Sequence, residues 1–152
     1  VGVREHHRAA RGGVRCAVLT VSDTRTEETD ESGRLTRTLL EQAGHRAVAH
    51  GIVPDDPEAV RREVAGFLHR EDVDAVLVNG GTGIAPRDRT LEAVAAVLEK
   101  PLPGFGELFR ALSFQEIGPA AMLSRAIGGV CRGRAVFVMP GSPAAVRLAL
   151  ER

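Results

Sequence analysis

The sequence contains no Trp and no Tyr, and its aromatic share is 3%. A hydrophobic core must therefore be built from Val, Leu, Ile and Ala. A surplus of either charge is also missing: Lys+Arg is 20, Asp+Glu is 20, and the formal charge at pH 7 is zero. Nucleic-acid and polyanion binders normally carry a basic excess, so no nucleic-acid partner is expected. Cysteine is scarce. Cys16 and Cys131 each lie inside an apolar run and read as buried small hydrophobes, and nothing else suggests an oxidising compartment. No apolar run approaches the ~20 residues of a membrane span. The opening "VGVREHHRAARG" has no apolar segment of the kind a signal peptide carries, so a cytoplasmic location is expected. His6 and His7, adjacent in a charged stretch, read as solvated side chains rather than metal ligands.

What is present is a chain of 152 residues with 43% hydrophobic side chains, enough for one domain with its own core. Residues 1–14 read as a flexible tail and 15–152 as a single domain. "RCAVLTV" is a β-branched apolar run entering the polar loop "SDTRTEETDESG". Leu35, Leu39, Leu40 and Ala43 follow at helical spacing, with Gly44 as a stop. "RAVAHGIVP" predicts a second strand. "DDPEAVRREVAGFLHRE" predicts a helix with acids and Pro in its first turn. "VDAVLVNGG" predicts a strand covered on both faces, "TLEAVAAVLEK" a helix, and "RAVFVMPGSPAAVRLALER" a strand, tight turn and helix. The stretch between, "PLPGFGELFRALSFQEIGPAAMLSRAIGGVCRG", is interrupted by Pro and Gly and reads as a small irregular side structure. This alternation predicts an α/β sandwich with a mostly parallel sheet.

Ligands of such sheets collect outside the strand carboxyl ends. Three strands end in polar or glycine-rich turns, "SDTR", "NGGTG" and "MPGSP", which parallel pairing would bring to one edge. Glycine turns let backbone N–H groups approach an anion, and a following helix N-terminus would add its dipole. The glycine run matches neither a P-loop nor a dinucleotide fingerprint, so composition and spacing reach an anion or nucleotide site and stop there. Asp55, Asp56 and Asp88 each precede a predicted helix, where Asp is a favoured cap. Beside a phosphate, however, a carboxylate calls for a divalent cation, and Mg²⁺ binds through one or two carboxylates plus phosphate oxygens. Arg87 would offset phosphate charge.

Taken together, "TVSDTR", "DESG", "GGTGIAPRDRTLEAV", "PGFGELFRALSFQEIGPAAMLSRAIGGV" and "MPGSP" resemble, in order and from about Arg15 onward, the MoaB/MogA family of molybdenum-cofactor biosynthesis proteins. The resemblance implies a three-layer α/β/α fold and a homotrimer, or a hexamer built from trimers. It also implies molybdopterin adenylyltransferase activity, in which AMP passes from Mg·ATP to the terminal phosphate of molybdopterin and pyrophosphate leaves. A pterin-binding carrier without transfer is the alternative, and contact with a downstream metal-inserting enzyme is a further expectation. "SFQEIG" and "MPGS" look like the MoaB branch, and the chain keeps Arg87, Asp88 and Thr90 of the R-D-x-T turn. Family members usually run on beyond the position matching Arg152, so an incomplete or locally disordered end is expected.

By the same resemblance, Asp88 and Asp55 match the two functional acids, the catalytic pair and the candidate Mg²⁺ ligands. Gly80, Gly81, Thr82 and Gly83 match the loop bounding the site. Ser22, Asp23, Asp30, Ser32 and Gly33 match the N-terminal signatures. Ser113, Glu116 and Ser124 fall in the "SFEEIG…SR" segment, and Pro140, Gly141, Ser142 and Pro143 in the turn expected to help hold nucleotide. The substrate phosphate, already ionised, would need no general base, which leaves charge neutralisation as the main catalytic task.

Overall fold

The apolar runs that end in polar turns are strands, and they lie side by side. In the computed structural model, which describes residues 12–152, β1 (Arg15–Val21), β2 (Arg46–Val53), β3 (Ala75–Asn79), β4 (Lys100–Pro101), β5 (Ile127–Cys131) and β6 (Arg134–Met139) form one sheet. Its order is β2-β1-β3-β6-β5-β4; the first four positions are parallel, and β5 is antiparallel to both its neighbours. Val21 pairs with Val53, Thr20 with Asn79 and Asn79 with Met139, so the carboxyl ends of the parallel strands are level. That register carries the three polar turns to one edge.

Helices α1 (Glu31–Gln42), α2 (Pro57–Leu68), α3 (Thr90–Ala95), α4 (Pro103–Ile117) and α5 (Pro143–Glu151) cover the sheet. Side-chain alternation along β1 assigns the layers. Ala17, Leu19 and Val21 pack with Val60 and Val64 of α2 and Val94 of α3, while Cys16 and Val18 pack with Leu40 of α1 and Val146 of α5. The result is the expected three-layer α/β/α sandwich. Asp30, Asp56 and Ser142 cap α1, α2 and α5 by accepting from the N–H groups of Gly33, Ala59 and Ala145, each worth about 1 kcal/mol. Both cysteines are free and buried, and burial pushes the Cys16 thiol up to about 11.

Several elements differ from the sequence reading. Residues 101–133 are not an irregular side structure: they hold the 15-residue α4, a 3-10 turn (Gly118–Leu123) and strand β5 inside the main sheet. The glycines that hide β5 are there for close packing. A Cβ on Gly128 would lie 2.9 Å from the Phe137 ring and 3.0 Å from Phe105 Cβ. The helix expected from Thr90 to Lys100 ends at Ala95, because Lys100 turns into β4. The last helix is formed through Glu151.

The tail expected at 1–14, with His6 and His7, falls largely outside the described residues. Val14 is already docked, its N–H donating to His45 Nδ1 at 3.1 Å. Among the described residues no helix is long and apolar enough to cross a membrane.

Candidate functional site

The first half of the site lies where β2, β1 and β3 end. Gly80 and Gly81 have φ of 102° and 62°, left-handed backbone that suits glycine. Gly80 donates its N–H to the Met139 carbonyl at 3.1 Å. Among the described residues no protein acceptor takes the N–H groups of Gly81, Thr82 or Gly83. Consecutive free amides in such a turn form an anion-binding concavity. The α3 that follows has only six residues, so the amides rather than a helix dipole supply the positive potential.

Three carboxylates surround this turn. Asp56, not Asp55, caps α2 through a 2.8 Å bond from Ala59 N–H. Asp55 is left half-buried with Oδ1 unpartnered, and the Thr90 hydroxyl is likewise buried and unpartnered. Both groups crowd Gly81: a Cβ there would lie 2.0 Å from Thr90 Oγ1 and 2.9 Å from Asp55 Oδ2. Asp88 does not cap α3, whose N-cap is Arg89 without a side-chain bond. It instead closes its own turn, Oδ2 accepting from Ala85 N–H at 3.0 Å. Gly83 leaves the space for it, since a Cβ would meet Asp88 Oδ2 at 2.5 Å. Asp23 accepts the Asp55 N–H at 3.1 Å and forms an ion pair with Arg87. Burial, together with the charges of Asp88 and Asp23, raises the Asp55 carboxyl above its ordinary range, while the Arg89 N–H and Arg87 pull it down. The balance describes a place short of positive charge.

The second half lies below the turn after β6. Ser113, Glu116, Ser124, Pro140 and Ser142 line one cavity of about 150 Å³, with Phe109 and Leu148 among its apolar walls. Ser113 Oγ and Ser124 Oγ are 3.0 Å apart. The halves touch through glycine: a Cβ on Gly141 would lie 2.9 Å from Gly80 Cα.

The N-terminal signature residues divide. Ser22 shapes its own loop, its hydroxyl accepting from the N–H groups of Thr24 and Arg25. Asp30 is buried, with Oδ1 capping α1 and Oδ2 accepting from Thr20 at 2.7 Å while lying 3.1 Å from His50 Nε2. Ser32 donates to the Gly141 carbonyl at 2.6 Å, and Gly33 is closed in by Asp30 and Thr20. These three hold the edge together from inside. Thr82 is buried, its carbonyl accepting from Arg125 at 2.9 Å.

Two residues of this edge went unassigned in the sequence reading. Asn79, 2% exposed, donates to the Leu19 carbonyl and Thr20 Oγ1, and its own Oδ1 has no partner. A polar residue ending an otherwise apolar strand was the available signal. Arg125 carried no signal beyond lying next to Ser124, because its partners, three backbone carbonyls and Glu92, are all distant in sequence.

Free amides flanked by carboxylates, at the carboxyl edge of a mostly parallel sheet covered on both faces, define an α/β protein with a turn suited to an anion. Residues 17–152 match the family described as a probable molybdopterin binding domain. The chain belongs to the MoaB/MogA family of molybdenum-cofactor biosynthesis proteins. It is 54% identical over 153 residues to molybdenum cofactor biosynthesis protein B of Bacillus cereus, spanning 100% of this chain and 90% of that one. A crystal structure of a molybdenum cofactor biosynthesis protein B aligns with TM-score 0.92 and 56% identity, covering 94% of this chain and 89% of the other. The tungsten cofactor synthesizing protein MoaB of Pyrococcus furiosus aligns with TM-score 0.77 and 37% identity, covering 91% and 89%.

Proposed function

We propose that the protein acts in molybdenum-cofactor biosynthesis as a molybdopterin adenylyltransferase. An oxygen of the molybdopterin phosphate attacks the α-phosphorus of ATP, the bond to the bridging oxygen breaks, and pyrophosphate leaves with the electron pair. The attacking oxygen is already ionised, so no proton has to move. The obstacle is the approach of two anions, which positioning and charge neutralisation overcome. The free amides of Gly81, Thr82 and Gly83 suit phosphate oxygens, and Arg87 lies close enough to Asp55 and Asp23 to share in the same field.

The observation that carries the reading is the Asp55 carboxylate, half-buried with an unpartnered oxygen and two further acids nearby. A buried acceptor left without a donor is costly, and a cation would satisfy it. Among the described residues no group of three or more His, Cys, Asp or Glu side chains could hold a metal ion by itself. Asp55 and Asp88, which flank the same glycine turn, would suit a Mg²⁺ whose remaining ligands came from the nucleotide. When bound, Mg²⁺ would neutralise charge on the nucleotide; Asp55 and Asp88 would fix where it sits. The cavity with Ser113 and Ser124 offers hydroxyls and apolar walls suited to the pterin. Incubation with molybdopterin, Mg²⁺ and ATP labelled at the α-phosphate tests the proposal. Labelled adenylyl-molybdopterin with pyrophosphate is the expected product, and pterin binding without transfer would favour a carrier.

We also propose assembly as a homotrimer, alone or paired into a hexamer. Phe109 packs inside and Phe105 and Leu112 pack against it, but Leu108, Phe114 and Met122 are 69%, 58% and 74% exposed. An apolar surface of that kind is suited to a subunit contact. Sedimentation at micromolar concentration should give the trimer mass; a monomer removes the assembly.

A further inference from the structure

Ser124 and Arg125 are neighbours in the connection between the 3-10 turn and β5, yet they serve opposite halves of the site. Ser124 lines the small cavity beside Ser113. Arg125 reaches the glycine turn. Its Nε donates to the Thr82 carbonyl at 2.9 Å, and its Nη2 donates to the carbonyls of Gly83 at 2.8 Å and Asp88 at 3.2 Å. Its Nη1 donates to Glu92 Oε1 at 2.6 Å, at the start of α3. One guanidinium thus ties both ends of the segment that carries Asp88.

Residues 83–87 of that segment are exposed, and few bonds of its own hold it: Asp88 N–H to the Ala85 carbonyl, Ala85 N–H to Asp88 Oδ2, and Thr90 N–H to the Gly81 carbonyl. Without Arg125, nothing among the described contacts joins it to the β5 side. A planar fork with several fixed donors can satisfy divergent acceptors at once, which a lysine ammonium on a flexible stem cannot reproduce. The Glu92 carboxyl is held below its ordinary range chiefly by this same guanidinium.

We propose that Arg125 is the positioning residue of the site. It holds the 82–88 segment so that the free amides and Asp88 face one ligand, and through Ser124 it links that segment to the neighbouring cavity. This rests on the nucleotide reading of the glycine turn, but the role of Arg125 in holding the segment can be tested without it.

Arg125→Lys and Glu92→Gln separate the contacts. Amide hydrogen exchange at Ala85, Asp88 and Thr90, the hydrogen-bonded amides of the segment, with β1 and α2 as internal references, reports the hold on it. Calorimetry with Mg·ATP reports its consequence. In Arg125→Lys, exchange at these three amides should quicken by about tenfold or more while β1 and α2 stay at the parental rate. Mg·ATP affinity should fall by a comparable factor. Glu92→Gln, which leaves the three carbonyl contacts in place, should change both much less. Parental exchange and affinity in Arg125→Lys would overturn the proposal. So would acceleration spread equally over β1 and α2, the mark of a purely structural arginine. If the segment loosens but the parent binds no Mg·ATP, the holding role stands and the nucleotide reading falls.

Discussion

The two edges of the sheet use the same kinds of residue in opposite ways. At the amino edge several charges are matched. Arg15 grips Asp74 with two side-chain bonds of 3.0 and 2.8 Å, Arg70 does the same to Asp72 at 2.8 Å, and Arg134 donates to the carbonyls of Val73 and Arg70. At the carboxyl edge some charges are also paired, Asp23 with Arg87 and Glu92 with Arg125, but other polar groups are left open. Asp55 Oδ1, Asn79 Oδ1 and Thr90 Oγ1 are buried without partners, and the only other such side-chain atom among the described residues is Arg37 Nε in α1. The backbone repeats the contrast, with the free amides of residues 81–83 lying at the carboxyl edge. Open polar groups gathered at one edge are what the proposed site would use. On that reading the contrast separates acids that hold the protein together from acids proposed to hold a ligand.

The sharpest way to break that contrast is Asp88→Asn. Asn supports a turn about as well as Asp, so a structural Asp88 would tolerate the change and the variant would melt like the parent. The proposed site predicts a loss of about 10²–10³ in turnover, roughly 3–4 kcal/mol in the barrier. Steady-state AMP transfer beside a thermal melt decides between the two. Parental turnover would return Asp88 to the structural class.

Asp55→Asn should show the opposite pattern in stability. A carboxyl whose folded pKa is raised binds its proton more tightly folded than unfolded. Its stabilising contribution is complete below the ordinary carboxylate range and is lost as pH rises through the raised value. Asn cannot ionise and escapes that loss. Ligand-free Asp55→Asn should therefore melt above the parent at neutral pH and converge with it in acid. Melting curves across pH without nucleotide check this, and a variant that melts lower at neutral pH would show Asp55 to be a structural group.

Asp74→Asn is the small effect on the matched side. Arg15 holds the Asp74 carboxyl at about 2, through a side-chain bond above all. A depressed pKa gives stability above the unfolded value that is lost as pH falls through the folded one. The variant should melt slightly lower at neutral pH, and the gap should close between the ordinary carboxylate range and about pH 2. Because the pair is exposed, solvent screening keeps this the smallest effect of the three.

How far the sequence could be read depended on where each signal lay. Apolar runs ending in polar turns announced β1, β2, β3 and β6, and parallel pairing then placed "SDTR", "NGGTG" and "MPGSP" together as expected. β5 stayed hidden because Gly128 and Gly129 occupy it, chosen for contact with Phe137, Phe105 and Leu98 rather than for strand propensity. α4 stayed hidden because it begins with Pro103 and Gly104 and because Leu108 and Phe114 blur its apolar face. At the site, Asp55 and Asp56 are adjacent in sequence and equally plausible as caps; only in the fold is Asp56 the cap and Asp55 the one left over. Arg125 was illegible because three of its four partners are backbone carbonyls, which any residue type can supply, and the fourth, Glu92, lies 33 residues away.

The central question is whether the open carboxylates hold the cation that travels with the nucleotide. Calorimetric titration of ATP into the parent and into Asp55→Asn, each with Mg²⁺ and with a chelator, measures this. The parent should bind ATP markedly more tightly with Mg²⁺ than with chelator, and most of that difference should vanish in Asp55→Asn. Equal ATP affinity in the parent with and without Mg²⁺ would contradict it.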